Sequence, residues 1–142
     1  MNREDWTLLV LAAAEGEFLT PAQLQKSVFL LGAKQADIVG EEFYHFIPYA
    51  FGPYCAAVYH DAEELERQGL AEIYMSRAGR WREYRATPEG RSKAHELGEE
   101  FPEVTGFLMK KVGWARQQTF QSLIREIYRM YPEYRVNSVF RD

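Results

Sequence analysis

Four arginines within nine residues, Arg77, Arg80, Arg82 and Arg85, stand with Trp81 and Tyr84 among them and form the densest basic stretch of the chain. Guanidinium forks pair with phosphates, and they pair equally with the carboxylates of an acidic protein surface. If three or four phosphates were engaged, log K for a duplex would fall by about 3 per tenfold rise in salt. The alternative is a solvated hairpin whose arginines pair locally with Glu72 and Glu83. Lys110, Lys111 and Arg116 either extend the basic face or are simply the solvated side of a helix.

Two further groups sit upstream. Residues 53–69 read as a helix closed by Gly69, carrying Tyr54, Tyr59, His60, Glu63 and Arg67 as a candidate recognition surface. A helix that reads the major groove needs Lys or Arg for the backbone phosphates. Here Arg67 and His60 face four carboxylates, Asp61, Glu63, Glu64 and Glu66, which favours a protein partner over a duplex. Phe46, Tyr49 and Phe51 make an aromatic segment that either lines a groove for a peptide or small ligand, or packs in the core.

Catalytic chemistry is not expected. Cys55 lies at a helix start, where a thiolate would be stabilised. His60, five positions on, points to another side of that helix, so a small buried cysteine is the better reading. His45, His60 and His95 with one Cys lack zinc spacing. Gly79 and Gly90 serve a turn and a helix start, not a phosphate loop. No catalytic residue, cofactor or metal follows, and the chain reads as a binding protein.

Composition agrees with a folded domain: 142 residues, 46% apolar and 15% aromatic. The net charge of −4 is uneven. Residues 1–70 hold 4 Lys/Arg against 11 Asp/Glu, a net of −7, and residues 71–142 hold 13 against 10, a net of +3. Such a split orients encounters with charged partners. No apolar run approaches the ~18–20 residues of a membrane span. The N-terminus does not read as a signal peptide, and a lone cysteine suits a reducing cytoplasm.

The elements that would position these residues are marked by cap and turn chemistry. Residues 4–14 read as a helix with Trp6, Leu9, Val10 and Ala13 on one face. Thr20-Pro21-Ala22-Gln23 is a capping box opening a helix whose stripe is Leu24, Val28 and Leu31, widened by Phe29 and Leu30. Residues 33–42 read as a turn or loop. Residues 43–47 are β-prone, and Pro48 favours an edge position. The helix from Pro53 buries Val58, Ala62 and Leu65. Two strands then pair across Arg77–Arg80 in the register Ala71–Ala86, Glu72–Arg85, Ile73–Tyr84 and Tyr74–Glu83. Thr87-Pro88-Glu89 opens a helix to about Leu97 that packs Ala94 and Leu97 inward. Amphipathic helices over 103–112 (Val104, Phe107, Leu108, Val112) and 119–131 (Phe120, Leu123, Ile124, Ile127, Tyr131) follow, the last stopped by Pro132. Their stripes either enlarge the core or form a dimer seam.

Residues 23–31 (QLQKSVFLL), followed by Phe51-Gly52-Pro53-Tyr54 and Val58-Tyr59, resemble the bacterial YwgA-like and SocA-like (Panacea) group. The ending Tyr131-Pro132-Glu133-Tyr134 with Asn137-Ser138 is similar to the tail of YwgA-type proteins. That resemblance implies a helical, winged-helix-related module, with antitoxins that neutralise a toxin among its members. Thr87-Pro88-Glu89-Gly90-Arg91 is similar to the wing-to-helix junction of MarR- and PadR-like regulators, which implies duplex binding and dimerisation through terminal helices.

The expectation is therefore an α+β, mainly helical protein. It would hold a winged helix-turn-helix domain with a two-stranded wing over residues 1–100 and a C-terminal helical extension over 101–142. It would be a cytoplasmic, non-enzymatic regulatory module that binds a protein partner in antitoxin fashion. The alternative is a dimeric DNA-binding regulator whose wing arginines grip phosphates.

Overall fold

Cap chemistry sets most element boundaries in the computed structural model, which describes residues 1–141. Asn2 and Asp5 exchange side chain–backbone bonds of 3.0 Å, opening α1 (Arg3–Ala12). Thr20 and Gln23 exchange the same pair at 3.2 and 2.9 Å, opening α2 (Pro21–Lys34) as predicted. A one-turn helix, α3 (Ala36–Val39), occupies the stretch read as a turn. The chain continues through β1 (Ile47–Tyr49), β2 (Gly52–Tyr54), α4 (Ala56–Arg67), β3 (Ala71–Met75) and β4 (Arg82–Ala86). Helices α5 (Pro88–Gly98), α6 (Pro102–Gln117) and α7 (Phe120–Met130) follow, and a 3₁₀ turn at Pro132–Arg135 succeeds α7. The protein is α+β and mainly helical, with two separate two-stranded antiparallel sheets.

Helix α1 is central. The sequence pattern predicts one buried face, but every residue from Asp5 to Leu11 is buried. Helices α2, α4, α5 and α6 and strand β4 all pack on it, so an almost wholly apolar run finds cover on each side. A polar tie reinforces this packing. The Tyr44 hydroxyl donates to Asp61 Oδ2 at 2.6 Å and shares a 2.7 Å bond with Thr7 Oγ1, while Arg3 Nε donates to Asp61 at 3.1 Å. Asp61 is therefore not one of the solvated carboxylates its neighbours suggest. Burial, with the Asp61 carboxylate beside it, raises the Tyr44 phenol well above its ordinary value. Tyr44→Phe leaves the fully buried Thr7 hydroxyl unpaired and is expected to lower stability by about 1–3 kcal/mol in a denaturant titration.

The β3–β4 hairpin has the predicted register throughout, ending in Met75–Arg82. Arg85 binds Glu72 across the strands at 2.8 Å and holds that carboxyl below its usual range. The base of the hairpin is locked onto α5. Thr87 N donates to Leu70 O at 3.0 Å, Thr87 Oγ1 donates to Gly69 O at 2.8 Å, and the same oxygen caps the helix by accepting from Gly90 N at 2.9 Å.

The segment before α4 departs from expectation. Phe43 and Tyr44 are buried without joining a strand, and β1 starts only at Ile47. It pairs with β2 as Ile47–Tyr54, Pro48–Pro53 and Tyr49–Gly52, a tight hairpin in which Gly52 takes φ +98°. Pro53 thus sits in a strand, and the helix begins three residues later than predicted. The C-terminal helices bury Val104, Leu108, Val112, Ala115, Leu123, Ile124 and Ile127 within the chain's own interior. Phe120 alone of the predicted stripe is well exposed, at 47%. A dimer seam would have to use the other faces of these helices. Among the described residues no helix is long and apolar enough to cross a membrane.

Candidate functional site

The arginines of the β3–β4 hairpin divide into two pairs. Arg82 and Arg85 are paired with carboxylates of the protein's own surface. Arg82 bonds Glu63 of α4 at 3.0 Å, and Arg85 pairs with Glu72 while lying 4.5 Å over the Phe18 ring. The local pairing weighed for these arginines is present for Arg85 with Glu72, while Arg82 pairs with Glu63 of α4 in place of Glu83. Arg77 and Arg80 stand in the turn closed by Ser76 N donating to Trp81 O at 2.7 Å. Among the described residues their guanidinium groups have no ion pair or hydrogen bond, and Trp81 beside them is exposed. The tip therefore offers two free cations, not four.

The predicted recognition helix is also only partly available. Tyr54 lies on β2, because Gln25 holds the following residue in an extended conformation: Cys55 N donates to Gln25 Oε1 at 3.0 Å, and Gln25 Nε2 donates to Cys55 O at 2.7 Å. Those two bonds mimic a strand partner and delay the helix to Ala56. Cys55 itself is half-buried. Tyr59 points inward, donates to Pro21 O at 3.1 Å and stacks on Tyr84. Glu63 is tied to Arg82, and Arg67 to Glu64 at 2.6 Å. Of the five residues, only His60 stands exposed with neither an ion pair nor a hydrogen bond among the described residues.

The aromatic segment splits as well. Phe46 packs edge-on to Phe29 at 5.4 Å, beside Tyr131 and Tyr134, and belongs to the core margin. The reversal of the chain at residues 49–52 carries Tyr49 and Phe51 to a different surface, where they are 54% and 42% exposed. Tyr49 stacks on Tyr54 at 5.0 Å, Tyr54 lies 6.2 Å from Tyr59, and Tyr59 stacks on Tyr84 at 5.7 Å. This tyrosine ladder runs from the first hairpin to β4 of the second. Phe51 meets Phe120 at 5.2 Å across the mouth of a groove of about 260 Å³. Pro21 and Ala22 of α2, with Tyr49, Tyr54 and Tyr59, form its walls.

Beneath the groove lie two residues that periodicity alone passes over, Gln25 and Lys26. Both are buried on α2, and Lys26 Nζ donates to Pro53 O at 3.1 Å. Burial alone pulls the Lys26 ammonium down from its ordinary 10.5 to about 8. Among the described residues no carboxylate stands within ion-pair distance of it. The available signal was the width of the α2 stripe. Leu24, Val28, Phe29, Leu30 and Leu31 cover too much of the helix to leave the residues between them in water.

Among the described residues no three His, Cys, Asp or Glu side chains gather as metal ligands. No protein-family model matches the chain, and no curated protein or solved structure is significantly similar to it.

Proposed function

We propose that this protein is a non-enzymatic regulatory module of winged-helix type that acts by binding a protein partner, in the manner of an antitoxin. One observation carries the reading: Tyr49, Phe51 and Phe120 are exposed side by side around a groove, on a surface continuous with the tyrosine ladder. Contiguous exposed aromatics rimmed by polar groups mark protein interfaces, where tyrosine and phenylalanine supply contact area at low entropic cost. The α4 carboxylates disfavour phosphate at that helix, and Asp61, Glu63 and Glu64 already pair with Arg3, Arg82 and Arg67.

Affinity purification of tagged protein from its native host tests this. Wild type is expected to retain one stoichiometric protein that the double variant Tyr49→Ser with Phe51→Ser loses. Retention of no protein, or retention unchanged by those substitutions, contradicts the reading.

A dimeric duplex-binding regulator is the second reading, favoured by Arg77 and Arg80, which stand in the hairpin turn beside Trp81 with no ion pair or hydrogen bond to their guanidinium groups among the described residues. Two phosphate contacts per chain, four per dimer, give a log K slope of about −3.6 against log salt. An electrophoretic titration showing duplex binding with about that slope, lost on Arg77→Glu with Arg80→Glu, would install this reading in place of the first.

A further inference from the structure

The groove beside Phe51 has a property that a plain aromatic contact does not need: a lysine at its floor. Lys26 is 5% exposed and lines the groove, and its side chain runs under Gly52, where an added Cβ would come within 3.9 Å of Cε. An ammonium has three donors. Pro53 O takes one, and among the described residues no other protein group accepts from Nζ. The titratable groups that share the groove or lie beside Gly52 with Lys26 are the phenols of Tyr49, Tyr54, Tyr59 and Tyr128, with Arg135 stacked on the Tyr128 ring. Among the described residues none of these groups is a carboxylate. A buried cation without a counter-charge is costly, and an anion that entered the groove would relieve it.

We propose that this groove captures the C-terminal residue of the partner chain, its carboxylate against Lys26 and its apolar or aromatic side chain between Tyr49, Phe51 and Phe120. The inference rests on the protein-partner reading above and names the element recognised. Size favours a chain terminus: about 260 Å³ falls below the span of ordinary small-molecule pockets and suits one residue. The exposed aromatics outside the mouth then meet the residues that precede it. A lysine ammonium binds a carboxylate through charge-assisted hydrogen bonds, the stronger class of such bonds.

The test uses two fluorescent pentapeptides ending in phenylalanine, one with a free carboxylate and one amidated, titrated into the full chain. Wild type is expected to bind the acid about tenfold or more tighter than the amide, the margin of charge-assisted hydrogen bonds. Lys26→Met is expected to bind both equally weakly. Should that variant fail to fold, wild type alone decides, since its preference for the acid should shrink by up to about tenfold per pH unit above about 8. Equal binding of acid and amide, a preference that survives Lys26→Met, or one that is constant from pH 7 to 9.5 overturns the proposal. Tighter binding of free 3-phenylpropanoate than of the peptide also overturns it, in favour of a small-molecule ligand. If the acid shows no preference while the host partner is still lost on Tyr49→Ser with Phe51→Ser, terminus capture fails and the partner reading stands. If the peptide binds through Lys26 but no host protein is retained, the partner reading fails instead.

Discussion

Gly90→Ala is expected to remove on the order of 4 kcal/mol of stability, a large share of the roughly 5–15 kcal/mol that holds an ordinary domain folded. An added Cβ at Gly90 would overlap the Leu70 carbonyl oxygen and press on its carbon at 2.9 Å. These are backbone atoms that cannot swing aside. Leu70 O already accepts from Thr87 N, and the Gly90 amide is held by Thr87 Oγ1, so moving α5 outward breaks the lock at the hairpin base. Gly106→Ala is the contrast. Nothing lies within 4 Å of its added Cβ, and it sits inside α6, so the substitution is expected to stabilise by about 0.5–1 kcal/mol. Urea titrations of the two variants check both signs. A Gly90→Ala protein as stable as wild type would show that the base of the β3–β4 hairpin is not packed as described.

Lys26→Met is expected to change how stability responds to alkali. A lysine whose folded value is about 8 against 10.5 in the unfolded chain binds fewer protons in the native state between those values. Native protein is therefore penalised below pH 8, by on the order of 3 kcal/mol, and the penalty lifts as pH rises. Wild type should gain roughly 2 kcal/mol from this group between pH 8 and 10. Above pH 10 the sign reverses. Burial holds the Tyr44, Tyr59 and Tyr84 phenols above their ordinary value of 10, so the unfolded chain loses those protons first and is favoured. Stability should peak near pH 10 in wild type. In Lys26→Met the rise from 8 to 10 should be absent, and stability at pH 7 should not fall. Removing the charge offsets the loss of one bond to Pro53 O, worth about 1–3 kcal/mol. Guanidinium titrations across this pH range read the difference directly. A parallel pH profile in the two proteins would place the ammonium in water.

These two sites mark where the chain was legible and where it was not. The β3–β4 hairpin was legible because its register is a local matter: Glu72 meets Arg85, the inward Ala71 and Ile73 meet Ala86 and Tyr84, and one slip would reverse every side chain. The Thr20 and Thr87 caps were legible for the same reason. The stretch from Phe43 to Cys55 was not. Its strand and helix boundaries depend on Gln25, some thirty positions upstream, whose amide holds Cys55 extended against the helical preference that Pro53 suggests. The buried Lys26 was hidden because a lysine between apolar residues ordinarily faces water. Local patterns found the arginine cluster, but distant partners decided its use, since Glu63 reaches Arg82 only once α4 has folded back along the hairpin. Tyr59 shows the same effect, a tyrosine on a helix with its hydroxyl turned into the protein by Pro21 O.

The central claim is that the surface around Phe51 meets a protein. Photocrosslinking in the native host tests it most directly, with p-benzoyl-phenylalanine in place of Phe51 and, as a control, in place of the exposed Glu103 on α6. A discrete protein adduct from position 51 and none from position 103 is the expected result. Adducts to nucleic acid from position 51, or the same products from both positions, would contradict the account.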